Sequence, residues 1–236
     1  MRYMTWGLFC VLMLSVAFFF SGSAEPTRIL PTDDFLIDGS GSSAAWEKAE
    51  WIHLTKRNDV GHDGSTRCKL LYSPKGLYIL FDCQDEKITS TIREDFGEIF
   101  REDIVDIFIW PDQGSTIYFE YGISPHNFEL ALLVPNYDGF FHGWQPWRYA
   151  GERKTRHQTK INSEHGKVVG WQAEFFIPFA LLKPLQNVPP VAGSRWRINL
   201  YRADFDSGKR AIWSWKPFHR RFHDYQQFGS VQFVEE

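Results

Sequence analysis

Tryptophan is the residue type in this chain that points most directly to a chemistry. The 236 residues include 10 tryptophans, and 17% of the chain is aromatic, which is more ring surface than a core of this size ordinarily requires. Flat rings beside carboxylates, amides and guanidinium groups suit a sugar, because a sugar ring has an apolar C–H face and a rim of hydroxyls. Four tryptophans lie in turn-rich segments with polar neighbours and are candidate sugar contacts: Trp144, Trp147, Trp213 and Trp215. Burial in the core is the alternative for each, because tryptophan is highly buried on average.

Three acidic residues, Asp103, Asp106 and Glu174, are candidates for hydrolysis of a glycosidic bond. That reaction requires two carboxyl groups about 5 to 9.5 Å apart across a cleft. Asp103 and Asp106 are three residues apart, so on a strand their side chains point to opposite faces. No neighbouring feature singles out one acid as a proton donor. Intrinsic hydrolase activity is therefore kept only as an alternative function.

Methionine and histidine offer little for a haem or zinc site. All three methionines, Met1, Met4 and Met13, lie in the first 24 residues, so the rest of the chain has no thioether for an axial haem ligand. Haem binding through histidines, or through histidine and lysine, is kept as a further alternative. His219 and His223 have the spacing of zinc ligands on a helix. The residues around them favour a loop, so packing or surface roles are expected.

The first 24 residues have the pattern of a secretory signal peptide. Arg2 precedes an uncharged apolar run from Trp6 to Phe20, and small residues follow up to Ala24, which predicts cleavage after Ala24. The run is shorter than the roughly 20 residues that span a bilayer, and no lipid-attachment motif precedes Cys10. The sequence therefore predicts a secreted protein, periplasmic or extracellular, with residues 1–24 as signal peptide and 25–236 as one domain.

The charge balance argues against two classes of partner. Without residues 1–24 the chain has 25 basic and 29 acidic residues, a net charge of −4, which does not favour nucleic acid or an anionic membrane. The basic segment 153–160 has polar residues on both faces of an extended chain. It is predicted to be a solvated edge strand whose charges prevent pairing with another strand.

Beyond Pro31 the chain reads as short strands separated by turn residues, without a long stretch of helical period. Two short helical turns are predicted, at 44–50 with Ser43 as candidate N-cap and at 179–183 before Pro184. So many strands in this length predict an all-β fold, a sandwich of two antiparallel sheets. The predicted strands include Arg67–Tyr72, Leu77–Cys83, Ile104–Trp110, Ile117–Ile123, Phe128–Val134, Val168–Phe176, Arg195–Arg202 and Gly229–Val234.

Cys68 and Cys83 flank a predicted hairpin whose turn lies at 73–76. Alternation along each strand places both side chains on the apolar side, on neighbouring paired strands. A disulfide requires the two residues to lie directly opposite each other, because a diagonal offset leaves their Cβ atoms too far apart. The sequence leaves a disulfide and two buried thiols as equal alternatives.

An ordered series of short motifs resembles the carbohydrate-binding module family 9 and its relatives with a DOMON-like β-sandwich. The resemblance covers nearly the whole chain beyond the signal peptide, and the order of the motifs is more specific than any one of them. The motifs are Asp38-Gly39 with Trp46 downstream, Thr66 through KLLYSPKGLYILFDCQD, REDIVDIFIWPD, YFEYGISP, Trp171 with EFFIPFALL, Gly193 with RWRINLYRAD, Trp213 to Pro217, and His223 leading into QQFGSVQF.

The resemblance implies a non-catalytic module that binds a polysaccharide or oligosaccharide, associated with glycan breakdown and with glycoside hydrolases as partners. In sugar-binding members a tryptophan stands six residues before an acidic residue, and a second tryptophan near the C-terminal end completes an aromatic clamp. Here these positions fall on Phe100 and Asp106, with Trp213 or Trp215 as the second ring. Arg202, in the family's arginine-rich strand, is expected either to bond ligand hydroxyls or to pair with an acid across the sheet.

Two departures from the family pattern affect the expected site. Phe100 offers a smaller face than indole, and Asp106 is one methylene shorter than the usual glutamate, so affinity or specificity is expected to differ. The resemblance still predicts that the loop bearing Phe100 meets the segment bearing the two C-terminal tryptophans, with Asp106 and Arg202 making polar contacts.

The resemblance also implies that calcium can support the fold, since family members can carry a structural calcium ion. Oxygen-rich turns at Asp33, Asp34, Asp82 and Asp85 offer candidate ligands, without the fixed spacing of an EF-hand. No cofactor is expected to be required for binding.

Overall fold

The computed structural model describes residues 25–219 and 221–235, and strands are the main regular secondary structure of these residues. The predicted signal peptide, residues 1–24, lies outside the described residues. Short helical segments connect the strands: α1, Phe179–Leu182, and 3-10 turns at Ala44–Lys48, Ile99–Arg101, Gly151–Arg153 and Tyr225–Gln227. The strands are β1 Thr27–Pro31, β2 Ile52–Lys56, β3 Thr66–Ser73, β4 Gly76–Gln84, β5 Ile104–Trp110, β6 Ile117–Ile123, β7 Glu129–Tyr137, β8 Phe140–Phe141, β9 Gln145–Pro146, β10 Arg156–Glu164, β11 Lys167–Pro178, β12 Arg195–Asp204, β13 Ala211–Ser214 and β14 Gly229–Phe233.

The strands form two packed sheets, which confirms the predicted all-β sandwich. The first sheet has the order β10-β11-β4-β3 and the second the order β14-β12-β5-β6-β7-β8, with antiparallel neighbours throughout. β1 pairs in parallel with both β3 and β14, and β2 pairs with β3 and β13. Hydrogen bonding therefore continues from one sheet into the other along the side of the sandwich.

Alternation along each strand decides which side chains enter the core between the sheets. On β5, Val105 and Ile107 lie in this core, whereas Asp106 and Phe108 face outward. Full burial of such an apolar side chain contributes about 1.5–3 kcal/mol. The outward face of the second sheet carries its own apolar cluster, because segments 92–100 and 218–228 fold over it. This covered face holds the candidate site.

The local elements agree closely with the sequence-based prediction. The Ser43 hydroxyl accepts a hydrogen bond from Ala45 N and caps the first 3-10 turn, and α1 ends before Lys183. β10 forms the edge of the first sheet with alternating exposure, as predicted for the basic segment, although it begins at Arg156. No helix in the described part of the chain is long and apolar enough to cross a membrane.

Cys68 and Cys83 lie on the paired strands β3 and β4 and are both buried, as predicted. Cys68 is opposite Phe81 and Cys83 is opposite Thr66, so the two cysteines are diagonal neighbours with free thiols. Burial raises the pKa of both thiols, that of Cys83 to about 12. Of the two alternatives left open by the sequence, the register favours two buried thiols over a disulfide.

Candidate functional site

Asp106 and Glu120 bring two carboxyl groups together on the outer face of the second sheet. Asp106 lies opposite Gly122 and Phe108 lies opposite Glu120 in the antiparallel pair β5–β6, so the two acids are diagonal neighbours on one face. Asp106 is 4% exposed and Glu120 is 7% exposed. The pair is thus held by two regular strands and shielded from solvent.

Gly122 makes room for the Asp106 side chain. A Cβ atom at position 122 would lie 2.3 Å from Asp106 Oδ1 and 2.7 Å from Ile104 Cδ1. Real Cβ atoms essentially never approach other atoms so closely. The glycine in YFEYGIS therefore lets the Asp106 carboxyl group lie directly over the backbone of β6.

The two carboxyl groups lie at the base of a cavity of about 270 Å³. Three residues singled out in the sequence, Phe100, Asp106 and Trp144, line this cavity together. The rings of Phe100 and Trp144 have centroids 6.2 Å apart and planes inclined by 60°. The cavity is also lined by Glu120, Phe141, Arg210, Arg221, Phe222 and His223.

Burial raises the pKa of both carboxyl groups in the cavity. Desolvation raises the pKa of Asp106 to about 8, although the Arg210 charge acts in the opposite direction. Desolvation and the proximity of Asp106 raise the pKa of Glu120 well above its usual range. Glu120 Oε2 has no hydrogen-bond partner among the described residues. Burial therefore favours the neutral form of both groups, and a neutral carboxyl group can donate a hydrogen bond as well as accept one.

His223 packs beside the acid pair as a neutral imidazole. Its ring stacks on Phe141 with centroids 4.0 Å apart, and its Nδ1 is 2.6 Å from the Tyr118 hydroxyl. Burial, together with the nearby Arg221 charge, lowers the His223 pKa to about 4. The 3.8 Å approach of its Nδ1 to Glu120 Oε2 is therefore not an ion pair at neutral pH.

Two arginines flank the cavity over its aromatic walls. The Arg210 guanidinium lies 5.4 Å from the centroid of Phe222, and the Arg221 guanidinium lies 5.5 Å from the centroid of Phe141. Both residues are exposed. Neither forms an ion pair with an acidic residue in the described ranges 25–219 and 221–235. Burial thus favours neutral carboxyl groups at the base of the cavity, while its rim is cationic.

Arg202 and Trp213 lie on the opposite side of the second sheet from this cavity. Tyr201 and Ala203 face outward on β12, so alternation turns Arg202 inward, and Trp213 is its direct partner on β13. Arg202 is 0% exposed and Trp213 is 2% exposed, with the guanidinium 4.6 Å from the indole centroid. The predicted meeting of the Phe100 loop with Arg202 and the C-terminal tryptophans does not occur in this structure.

The remaining two tryptophans of the predicted site are also outside the cavity. Trp215 lines a separate cavity of about 700 Å³ between β1 and β2, beside Trp51. Trp147 packs against the core between the sheets, and its Nε1 donates to Leu181 O at 3.0 Å. Of the four tryptophans proposed as sugar contacts, Trp144 alone lines the acid-pair cavity, and it is 45% exposed.

Arg202 is the centre of a buried ion cluster. Its Nη2 lies 2.7 Å from Asp204 Oδ2 and 3.0 Å from Asp85 Oδ2. His62 Nε2 lies 3.0 Å from the same Asp204 oxygen, and Asp206 offers a third carboxylate within 4.8 Å. Arg202 therefore pairs with acids, which is the second of the two roles expected for it.

The Arg202 cluster is a poor match to calcium. Its guanidinium already faces the oxygens of Asp85 and Asp204 that a cation would use, and His62 offers nitrogen where calcium takes oxygen ligands. Of the predicted calcium ligands, only Asp85 belongs to this cluster.

The other predicted calcium ligands lie apart from the cluster. Asp34 pairs with Lys75, and Asp82 pairs with Arg67 at 2.7 Å. Asp33 is exposed. The oxygen-rich turns predicted to share an ion therefore do not come together.

The three candidate catalytic acids are not assembled across a cleft. Glu174 lies on the outer face of the first sheet, where its carboxylate accepts hydrogen bonds from Gly39 N at 2.9 Å and Trp46 Nε1 at 2.8 Å. Asp103 is 0% exposed, and its Oδ1 accepts from Phe205 N at 2.8 Å. These two carboxylates are hydrogen-bonded within the fold, away from the acid pair.

The sequence reasoning missed Glu120 and the loop residues of the cavity. Glu120 could have been identified from the sequence, because strand alternation places it on the same face as Asp106 in the strand that follows β5. Phe141, Arg210 and Phe222 had none, because their loops cross the sheet through long-range packing rather than local pattern.

Comparisons with known proteins agree with this architecture. The family described as "Carbohydrate family 9 binding domain-like" matches residues 37–236. The chain is 28% identical over 150 residues to a protein of Arthroderma benhamiae named "Extracellular protein". This match covers 58% of the present chain and 62% of that relative, so the chain spans less than two thirds of the relative's length.

Solved structures with the same fold include two kinds of carbohydrate-related protein. A proposed carbohydrate-binding protein from Bacteroides uniformis superposes with a TM-score of 0.72 at 13% identity, covering 89% of this chain and 99% of that one. A carbohydrate-binding module of family 9 from Caldicellulosiruptor kristjanssonii, in complex with cellotriose, gives 0.61 at 18% identity and covers 89% and 95%. At such low identity these neighbours establish the fold alone. Because the family match spans most of the sequence, the chain belongs to the carbohydrate family 9 binding domain-like family.

Proposed function

We propose that this protein is a secreted, non-catalytic carbohydrate-binding protein and that the acid-pair cavity is its sugar site. The observation that carries the proposal is the meeting of aromatic walls with two buried carboxyl groups in one cavity. Phe100 and Asp106 stand at the positions that the family resemblance marks for sugar contact, and they line this cavity together. The cavity has a volume of about nine waters, which suits one sugar unit rather than a longer chain.

The cavity offers each part of a sugar a matching surface. Trp144 and Phe100 provide apolar faces for the C–H groups of the ring. In their neutral forms, which burial favours, Asp106 and Glu120 can each donate to one hydroxyl and accept from another. A neutral carboxyl group also has a smaller desolvation cost than a carboxylate when the sugar displaces water.

The same protonation supports binding without hydrolysis. Glycosidases place an ionised carboxylate opposite a protonated acid, with the substrate between them. Asp106 and Glu120 are diagonal neighbours on one sheet face, and burial raises the pKa of both. Neither is suited to act as nucleophile or general base at neutral pH.

Secretion and a role in glycan breakdown complete the proposal. The signal-peptide pattern of residues 1–24 and the relative named "Extracellular protein" support secretion. Family 9 modules with cellotriose or glucose bound share the fold, which supports plant-type glycans as ligands. Glycoside hydrolases are proposed as partners from the family resemblance of the sequence motifs. Because the Arg202 guanidinium already faces the oxygens of Asp85 and Asp204 that a cation would use, we expect no cofactor requirement, and chelation by EDTA should leave binding unchanged.

A glycan array followed by calorimetry tests the proposed function. We expect the purified protein to retain at least one glycan, and Trp144→Ala to weaken binding about tenfold, equivalent to about 1.4 kcal/mol. Tyr137→Ala is the matched control, because Tyr137 is 69% exposed and does not line the cavity. It should change affinity less than twofold.

Two results would count against the proposed site. An array that retains no glycan would remove the function. A glycan that binds Trp144→Ala and Phe100→Ala as tightly as the unmodified protein would place sugar binding elsewhere, for instance at the cavity beside Trp215.

A further inference from the structure

The rim of the acid-pair cavity has a charge that a neutral sugar does not require. Arg210 and Arg221 are held over Phe222 and Phe141, the aromatic walls of the cavity. The cation–π attraction favours a position of the guanidinium near the ring face, and it leaves the N–H donors available. Both arginines therefore lie at the cavity rim before any ligand arrives.

Three acidic residues on the segments around the cavity are engaged by other groups. Glu98 pairs with Arg101 at 2.6 Å, the Glu102 carboxylate accepts from Ile92 N at 2.9 Å, and Asp224 Oδ2 accepts from His219 N at 2.9 Å. Among the described residues neither Arg210 nor Arg221 forms an ion pair, although the Arg210 charge acts on the pKa of Asp106 inside the cavity. Both side chains are exposed at the rim.

A second recess extends the site on the Arg210 side. A shallow groove of about 440 Å³ is lined by Phe100, Arg101, Phe205 and Arg210. It shares Phe100 and Arg210 with the cavity. A sugar in the cavity and the next unit of its chain would therefore both pass within reach of the Arg210 guanidinium.

We propose that this protein binds glycans that carry a carboxylate, such as a uronic acid unit, and that Arg210 and Arg221 bind that carboxylate at the rim of the cavity. This inference rests on the proposed function and adds the ligand class. A planar guanidinium matches a carboxylate with two parallel hydrogen bonds, and such charge-assisted bonds are about twice as strong as neutral ones. Two ionised carboxylates at the base of the cavity would repel an acidic sugar. Burial favours their neutral forms, which reduces this repulsion.

Matched pairs of ligands test the inference. The probes are glucuronic-acid-bearing xylo-oligosaccharides and the same oligosaccharides after reduction of the carboxyl group to an alcohol. We expect the purified protein to bind the acidic form about tenfold more tightly at low salt, with the difference shrinking as salt is added. In the double variant Arg210→Gln/Arg221→Gln, this preference should fall to less than twofold, whatever loss of affinity the acidic and reduced forms share.

A control variant and a second anion make the outcomes distinct. Arg195→Gln removes one positive charge from an exposed position outside the cavity and should preserve the preference. Equal affinity for the acidic and reduced forms, or a preference that survives in the double variant, would overturn the inference and leave sugar binding intact. Tighter binding of a sulfated xylo-oligosaccharide than of the uronic form would overturn the assignment to carboxylate. Failure to bind either form, with no other glycan retained on an array, would remove the proposed function as well.

Discussion

Replacing Asp106 by asparagine should change how the stability of the protein depends on pH. Burial raises the Asp106 pKa from its ordinary 3.8 to about 8. Between these values the folded protein holds a proton that the unfolded chain has lost, so folding takes up a proton and stability falls as the pH rises. One fully linked group contributes about 1.4 kcal/mol per pH unit. From pH 5 to pH 7 the unmodified protein should therefore lose about 2.7 kcal/mol through Asp106.

Asp106→Asn keeps the size of the side chain but removes its ionisation. The stability of the variant should lack this pH dependence, so the two stability curves diverge from about pH 4 upward, where the unfolded chain begins to ionise Asp106. Between pH 5 and pH 7 the variant should become more stable relative to the unmodified protein by about 2.7 kcal/mol. Asp85 and Asp103 also have raised pKa values, about 7 and about 8. They contribute the same pH dependence to both proteins and cancel in the difference. Glu120 does not cancel, because Asp106 contributes to its raised pKa, so the difference belongs to the pair Asp106 and Glu120.

Urea unfolding followed by tryptophan fluorescence between pH 5 and pH 8 measures this difference, provided that the m-values agree. Asp138→Asn is the control, because Asp138 is exposed in a turn at φ 49°, a conformation that asparagine adopts readily. Its stability curve should run parallel to that of the unmodified protein. A parallel curve for Asp106→Asn as well would refute the reasoning, since it would mean that Asp106 is ionised in the folded state.

The other predictions concern close packing and buried charge. Gly122→Ala should lower stability by about 1–3 kcal/mol and weaken glycan binding, because the new Cβ displaces the Asp106 carboxyl group; unchanged urea unfolding and calorimetry would contradict that close approach. Arg202→Met should lower stability by about 3–5 kcal/mol, because it leaves buried carboxylates without their partner. Arg67→Met, which breaks a partly exposed ion pair, should cost less than about 1 kcal/mol; equal losses in the two arginine variants would disprove the distinction.

The strands were predictable because their signal is local. Alternation in IVDIFIW and IYFEYGI fixed the limits of β5 and β6 at Ile104–Trp110 and Ile117–Ile123, which the structure reproduces. The same alternation explains why Asp106 faces outward. Short strands such as β1 were not predicted, since five residues of mixed exposure carry little periodicity.

The site was only partly predictable, because its walls come from segments far apart in sequence. Trp144 and Trp213 both have polar neighbours in the sequence. Trp144 is 45% exposed at the cavity, whereas Trp213 is 2% exposed in the core. The difference arises from strand pairing: Trp213 lies opposite Arg202 on β12, which faces inward. Neither partner can be identified from the local sequence around the tryptophan.

The parallel pairing of β1 with β14 has a mechanical consequence. Thr27 lies beside Val231 and Ile29 beside Phe233, so the chain enters β1 and leaves β14 at opposite ends of the same ladder. A force that pulls these two strands by their outer ends acts along the ladder, and it loads all of its hydrogen bonds together rather than opening them one at a time. β1 is also paired with β3 in the first sheet, so withdrawing it requires shearing two ladders. A force applied between β1 and β14 should therefore have to be larger than one that opens an equal number of hydrogen bonds one after another.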